Sequence, residues 1–154
     1  MNSQHDGLDF TQDEIEIAVE RLRHFLDAVL EPDGLYEIRP VPHTAGGSIW
    51  TTPPDLPDHI PVLMAWNRSR VNPYFSLNPR KARGATKGID TLPGALVVAD
   101  FDSGMTLAEA GAKIAAAGLP PATAVIQTSA SHWHFYWRLA ERLPNLESHK
   151  RIQR

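Results

Sequence analysis

The sequence contains no cysteine. That excludes disulfides, thiolate zinc centres and cysteine nucleophiles, and it fits a reducing compartment. No apolar run approaches the roughly 20 residues that a membrane-spanning helix needs. The N-terminus opens polar and acidic, unlike a cleavable signal. A soluble cytoplasmic protein with no membrane partner is expected. The Walker spacing G-x-x-x-x-G-K-[ST] occurs nowhere, so a P-loop nucleotidase is not supported. Internal repeats and low-complexity segments are missing too.

What is present suits one domain, or one domain with an arm. The chain has 154 residues, and 42% of them are hydrophobic, enough for an ordinary core. The net charge of −3 hides an uneven distribution. Residues 1–58 carry twelve acids and three bases, and residues 90–154 carry six of each. Residues 59–89 hold six bases and no acid: Arg68, Arg70, Arg80, Lys81, Arg83 and Lys87. A local basic block on an acidic chain can bind phosphate without general nucleic-acid stickiness. A solvated loop is the plainer alternative.

Periodicity predicts an α/β (α+β) chain. "TQDEIEIAVERLRHFLDAVLEPDG" is expected to be a helix, opened by a Thr11/Glu14 capping box and ended by Pro32 and Gly34. "LYEIRPV" alternates like a strand. The Pro- and Gly-containing stretch 42–61 is expected to be a loop or extended arm. A short helix should follow, starting near Asp58 with Pro61 in its first turn. "NPYFSLNP" predicts a short strand, and "RKARGATKGIDTLPG" a basic loop. "ALVVADFDS", apolar on both faces, predicts a central strand. "TLAEAGAKIAAAGLPP" predicts a helix with a Thr106/Glu109 capping box. "TAVIQTSA" and "HFYWRL" predict two further strands, the first buried, paired as a hairpin across "SASH".

Asp100 and Asp102 close the strand "ALVVADFD". Residues two apart on a strand share a face, so the two carboxylates sit side by side. Paired like charges raise each other's pKa unless a cation neutralises them. A hard divalent ion, Mg²⁺ or Mn²⁺, would do so through oxygen ligands, and such ions serve phosphoryl and nucleotidyl transfer. Solvated turn carboxylates, with Asp102 and Ser103 leading into the helix cap, are the alternative. The basic loop could meet a nucleotide's triphosphate. Arg80 leads that assignment because it follows the "YFSLNP" strand directly, and Lys87 is second.

In "TSASHWHFYWRL" alternation puts His134, Tyr136 and Arg138 on one face, with Phe135, Trp137 and Leu139 on the other. An imidazole on that first face can donate a hydrogen bond to a phosphate oxygen. His132 has no such strand context and is assigned no role.

The order of these parts resembles the archaeo-eukaryotic primase superfamily, and within it the RepB-like primases of phages, plasmids and other mobile elements. "LVVADFD" is similar to the family's first motif, apolar residues leading into D-x-D. "TSASHWHFYWRL" is similar to its second, a serine, a short turn and a strand-borne histidine. "YFSLNPR", "TKGID" and "YEIRPVP" resemble upstream family segments. The likeness covers roughly residues 35–140, with the two motifs about 30 residues apart. It implies an RRM-like catalytic core with an N-terminal helix and α/β module. Residues 1–34 would be the N-terminal helix and 35–154 a partial primase–polymerase domain. It also implies divalent-metal nucleotidyl transfer on a DNA template or primer, from nucleoside triphosphates, in concert with a replicative helicase. By that likeness Asp100 and Asp102 are metal ligands, and His134 contacts the incoming phosphates. Ser129 supports its turn. The basic loop adds Arg80 and Lys87, and the His134 face of the strand adds Arg138, as further expected nucleotide contacts.

Two departures accompany the likeness. Ala130 and Ser131 stand where the family commonly has a Pro-Gly or glycine-rich turn. The family's third acidic motif has no counterpart after Leu139, where only Glu141 and Glu147 remain, in a polar stretch whose "NLESHKRIQR" resembles a helix start. The expectation is therefore a core that ends before its third acid, with weak or absent catalysis alone. A non-catalytic nucleic-acid-binding module and a metal-dependent phosphoesterase are the competing functions.

Overall fold

The computed structural model describes residues 10–42, 46–85, 87, 90–102, 104–145 and 147. Ser103, most of "TKGID" and most of "NLESHKRIQR" lie outside the described residues. Helix α1 spans Gln12–Val29 and is opened by the expected capping box. Thr11 Oγ1 accepts from the Glu14 amide at 3.2 Å, and Glu14 accepts from the Thr11 amide at 2.9 Å. Leu26 and Val29 are buried, a gain of about 1.5–3 kcal/mol for each large aliphatic side chain. Strand β1 (Tyr36–Val41) pairs antiparallel with β2 (Ile49–Thr51) on one side and β3 (Asn72–Phe75) on the other.

Part of the stretch expected to be an arm is regular structure: it contributes β2 and a 3₁₀ segment, Pro53–His59. Pro53 and Pro54 open that segment; proline has a preset φ and no amide to satisfy in a first helical turn. Helix α2 (Ile60–Arg68) comes next, with Pro61 in its first turn as expected.

The second sheet is built from β4 (Leu96–Phe101), β5 (Ala124–Ser129) and β6 (His132–Arg138), with α3 (Leu107–Ala116) between β4 and β5. Its spatial order is β4-β6-β5, and β6 is antiparallel to both neighbours. The chain is thus mixed α and β, with two three-stranded antiparallel sheets. The expectation that "ALVVADFD" is central is corrected: β4 is an edge strand, and β6 is the central one. Apolarity on both faces reports what covers those faces. Here α3 residues Ala110 and Ile114 pack with Phe135 and Trp137 on one side, and Leu96 and Tyr136 join the α1 core on the other. The expectation that "TAVIQTSA" is buried is corrected too, because β5 is an edge and is exposed along much of its length.

One core joins the two sheets. Leu26, Val29, Tyr36, Ile38, Leu96 and Tyr136 form a continuous buried cluster. Phe25 makes edge-on ring contacts with Phe75 of the first sheet (5.9 Å) and Tyr136 of the second (5.3 Å). The buried carboxylate of Glu31 accepts the Ala95 amide at 3.0 Å, tying the start of β4 to the end of α1. Among the described residues, no helix is long and apolar enough to cross a membrane.

Candidate functional site

The β4–β6 ladder places Asp100 directly opposite His134 and Val98 opposite Tyr136. Directly opposed residues of an antiparallel pair share a face. The predicted alternation of "HFYWRL" is therefore realised. His134 and Tyr136 lie on the Asp100 face, while Phe135 and Trp137 pack on α3. His134 Nε2 lies 3.1 Å from Asp100 Oδ1. Asp102 stands one residue past the end of β4, near enough to act on the Asp100 carboxyl.

Partial desolvation pushes the Asp100 carboxyl above the usual aspartate range, although the side chain is still 48% exposed. Asp102, through its side chain and its negative charge, pushes the same way, while His134 and His132 pull against it. The like-charge contribution that the spacing predicted is present at Asp100, but it is smaller than desolvation.

A third strand contributes through an irregularity. On β5, Gln127 opposes Trp133, but Ser129 rather than Thr128 opposes His132. This bulge adds one residue and reverses the inward/outward parity of the residues beyond it. Ser129 would otherwise share the Gln127 face. It turns instead to the face of His132, His134 and Asp100. The Gln127 side-chain amide donates to the Ala130 carbonyl at 3.0 Å, closing the two-residue turn before β6. Trp133 Nε1 donates to the Met105 carbonyl at 2.9 Å, which pins the loop after Asp102 to β6.

Tyr136 completes the constellation from below. Its hydroxyl lies 3.1 Å from His134 Nδ1, and the residue is 2% exposed. Burial, with a smaller contribution from the Asp100 charge, pushes its phenol up to about 12. The phenol therefore keeps its proton at neutral pH and can donate it to Nδ1. With Nδ1 accepting in this way, Nε2 carries the N–H that faces Asp100. Tyr136→Phe is expected to release this constraint, raising the Nδ1–H tautomer. Ring ¹⁵N shifts of His134 measure it, and an unchanged tautomer in the variant would refute the role.

The remaining assignments fall elsewhere. Arg138 opposes Leu96, four residues along β6 from His134, or about 13 Å at strand rise. Its guanidinium donates to the Asp27 carbonyl at 3.0 Å. Arg80 is held beside the first sheet. It donates to Thr91 Oγ1 at 2.7 Å and the Lys87 carbonyl at 3.2 Å, and pairs with Glu37 at 3.5 Å. The structure gives it the work of closing the 80–91 loop. Lys87 has an exposed side chain, and its amide donates to Asp90 at 3.2 Å.

His132 carried no role in the sequence, yet its charge reaches Asp100. The period of two from His134 could have found it, had β6 been started at residue 132. Among the described residues, no group of three or more histidine, aspartate or glutamate side chains is arranged to hold a metal ion. Comparison with known proteins finds no matching family model, no matching curated sequence and no matching solved structure.

Proposed function

We propose that this chain carries the nucleotide-handling part of a primase–polymerase-type nucleotidyltransferase domain, of the RepB-like kind found in phages, plasmids and mobile elements. The carrying observation is the meeting of two distant motifs. Asp100 of "DFD" and His134 of "SHWHFYW" face each other at 3.1 Å, with Asp102 beside them and Ser129 turned to the same face. The topology is in keeping with an RRM-like core: strand, helix, strand, strand, with the last strand inserted between the first two.

The donor set fits Mg²⁺ or Mn²⁺. Mg²⁺ typically takes one or two carboxylates, several waters and substrate phosphates rather than an all-protein cage. Asp100 and Asp102 supply two hard carboxylates whose mutual repulsion a cation would relieve. When bound, the ion supplies charge neutralisation at the phosphates and a lowered pKa for the attacking 3′-hydroxyl. The protein's own part is to hold and orient. With the Asp100 carboxylate engaged by the ion, His134 would offer a ring N–H to a phosphate oxygen of a nucleoside triphosphate. Ser129 borders that position.

No third carboxylate joins the pair among the described residues. The expected behaviour is metal-dependent triphosphate binding without template-directed synthesis at ordinary primase rates. Calorimetric titration of a nucleoside triphosphate with Mn²⁺ or with EDTA tests it. Binding should need the metal, weaken about tenfold in His134→Ala, as loss of one charge-assisted hydrogen bond predicts, and weaken for a monophosphate. Metal-independent binding would sink the proposal. Template-independent hydrolysis of the nucleotide would replace it with a phosphoesterase, and rapid dinucleotide synthesis would remove the expected catalytic deficit.

A further inference from the structure

We infer that the outer face of the β2-β1-β3 sheet is a docking surface for single-stranded DNA, with Trp50 and Tyr74 as stacking platforms and Arg39 between them. The choice of DNA as the polymer rests on the function proposed above. The register defines the face: Glu37 opposes Trp50, and Arg39 opposes Tyr74. Tyr36 and Ile38 point the other way, into the core with Leu26, and Leu63 and Trp66 of α2 pack against that same cluster. The helices therefore cover the inner face.

The solvated face of an antiparallel sheet ordinarily carries polar side chains. This one carries Trp50, partly exposed, and Tyr74, 58% exposed. Among the described residues, Tyr74 has no hydrogen-bond or ring partner.

Charge selects the occupant. Glu37 is the one acid that β1, β2 and β3 place on this face, and it is buried beneath two arginines, Arg39 at 2.9 Å and Arg80 at 3.5 Å. Arg80 also roots the basic loop at the border of the sheet, and Lys81 and Arg83 of that loop are exposed. The surface is thus aromatic with a net positive surround, which suits a polyanion with π-faces to offer. Strand spacing sets Trp50 and Tyr74 about 12 Å apart across β1. Flat platforms this far apart reach bases only when these are unstacked. A duplex hides its base faces, whereas a single strand presents them.

The test is fluorescence anisotropy of a labelled oligothymidylate with the full chain. Tyr74→Ala should weaken binding about tenfold with an unchanged melting temperature, since that ring is exposed. Quenching of Trp50 emission by the oligonucleotide should vanish in Trp50→Phe. The double variant Lys81→Glu with Arg83→Glu should flatten the dependence of log K on log salt by about 1.4 or more. Wild-type affinity in Tyr74→Ala, equal affinity for duplex DNA, or no binding by the wild-type chain would overturn the surface. Tighter binding of the matching RNA would overturn the choice of DNA. Metal-dependent nucleotide binding should persist in Tyr74→Ala. Its absence from the wild-type chain, with oligonucleotide binding intact, would sink the proposed function separately.

Discussion

Asp100→Asn is expected to lower metal-dependent nucleotide affinity by about 100-fold or more while leaving the thermal midpoint unchanged or raised. Loss of a partner outside the metal's own ligands typically costs 10–100-fold in metal affinity, so a direct ligand belongs at or above the top of that range. The stability effect has the opposite sign for a separate reason. Asp100 has a folded-state pKa above its ordinary value, because of partial desolvation and because of Asp102. A group raised in this way has its most favourable contribution below the unfolded value, about 3.9 for aspartate, and loses it as pH rises through the folded pKa. At neutral pH the ionised pair therefore carries a penalty that asparagine avoids. The penalty is small, since the Asp100 side chain is 48% exposed and solvent screens it. Thermal melts from pH 4 to 8, with and without Mn²⁺, give both results. Mn²⁺ should raise the wild-type midpoint by binding the native state and leave that of the variant unmoved. Nucleotide affinity equal to wild type would remove Asp100 from the site. Under a purely nucleic-acid-binding function, the variant should bind nucleic acid as well as wild type or better, with no metal-dependent nucleotide binding to lose.

The elements of this fold were largely legible, because their signals are local. Both capping boxes, the strand at 36–41, the helix after Pro61 and the 107–116 helix arise from spacing and cap chemistry alone. Lateral position was not legible. "LVVADF" is apolar on both sides because α3 and the α1 core cover both sides, and that pattern is the same for an edge and a centre. The Asp100–His134 meeting was legible only as two motifs, since nothing in either fixes a register between them. Ser129 reaches the site face through a bulge at Thr128, and no residue type in "IQTSAS" announces one. The pairing of Arg80 was not legible for a related reason. A basic residue in a loop promises a free cation, but its partner Glu37 lies 43 positions upstream in a separate strand. Tyr136 was legible as a face partner of His134. Its role in fixing the imidazole needs the 3.1 Å contact.

The same Arg80–Glu37 pair yields the largest expected loss of stability. Glu37→Gln should cost about 3 kcal/mol, the lower end of what removing one partner of a buried ion pair costs. That corresponds to about 10 °C in midpoint for a chain of this size. Glu37 is 2% exposed, and its carboxylate receives two bonds from Arg39 (3.3 and 2.9 Å), one from Ser48 (2.8 Å) and the charge of Arg80. Burial pushes the carboxyl up, but the hydrogen bonds from Arg39 and Ser48 and the charges of Arg39 and Arg80 outweigh it and hold it below the usual glutamate range. The resulting stability is present above the unfolded value, about 4.3, and is lost as pH falls through the lower folded value. Glutamine keeps the shape and drops the charge, leaving Arg80, whose side chain is 13% exposed and whose Nε has no hydrogen-bond partner among the described residues, without its counter-ion. The wild-type advantage over Glu37→Gln should therefore shrink in acid, below about pH 4, and urea titrations at pH 7 and pH 3 measure it. Arg80→Ala supplies the decisive comparison. A phosphate-gripping arginine would lose nucleotide affinity and keep its midpoint. An arginine that closes the 80–91 loop against Glu37 should lower the midpoint, couple to Glu37→Gln in a double-mutant cycle, and leave nucleotide affinity nearly intact.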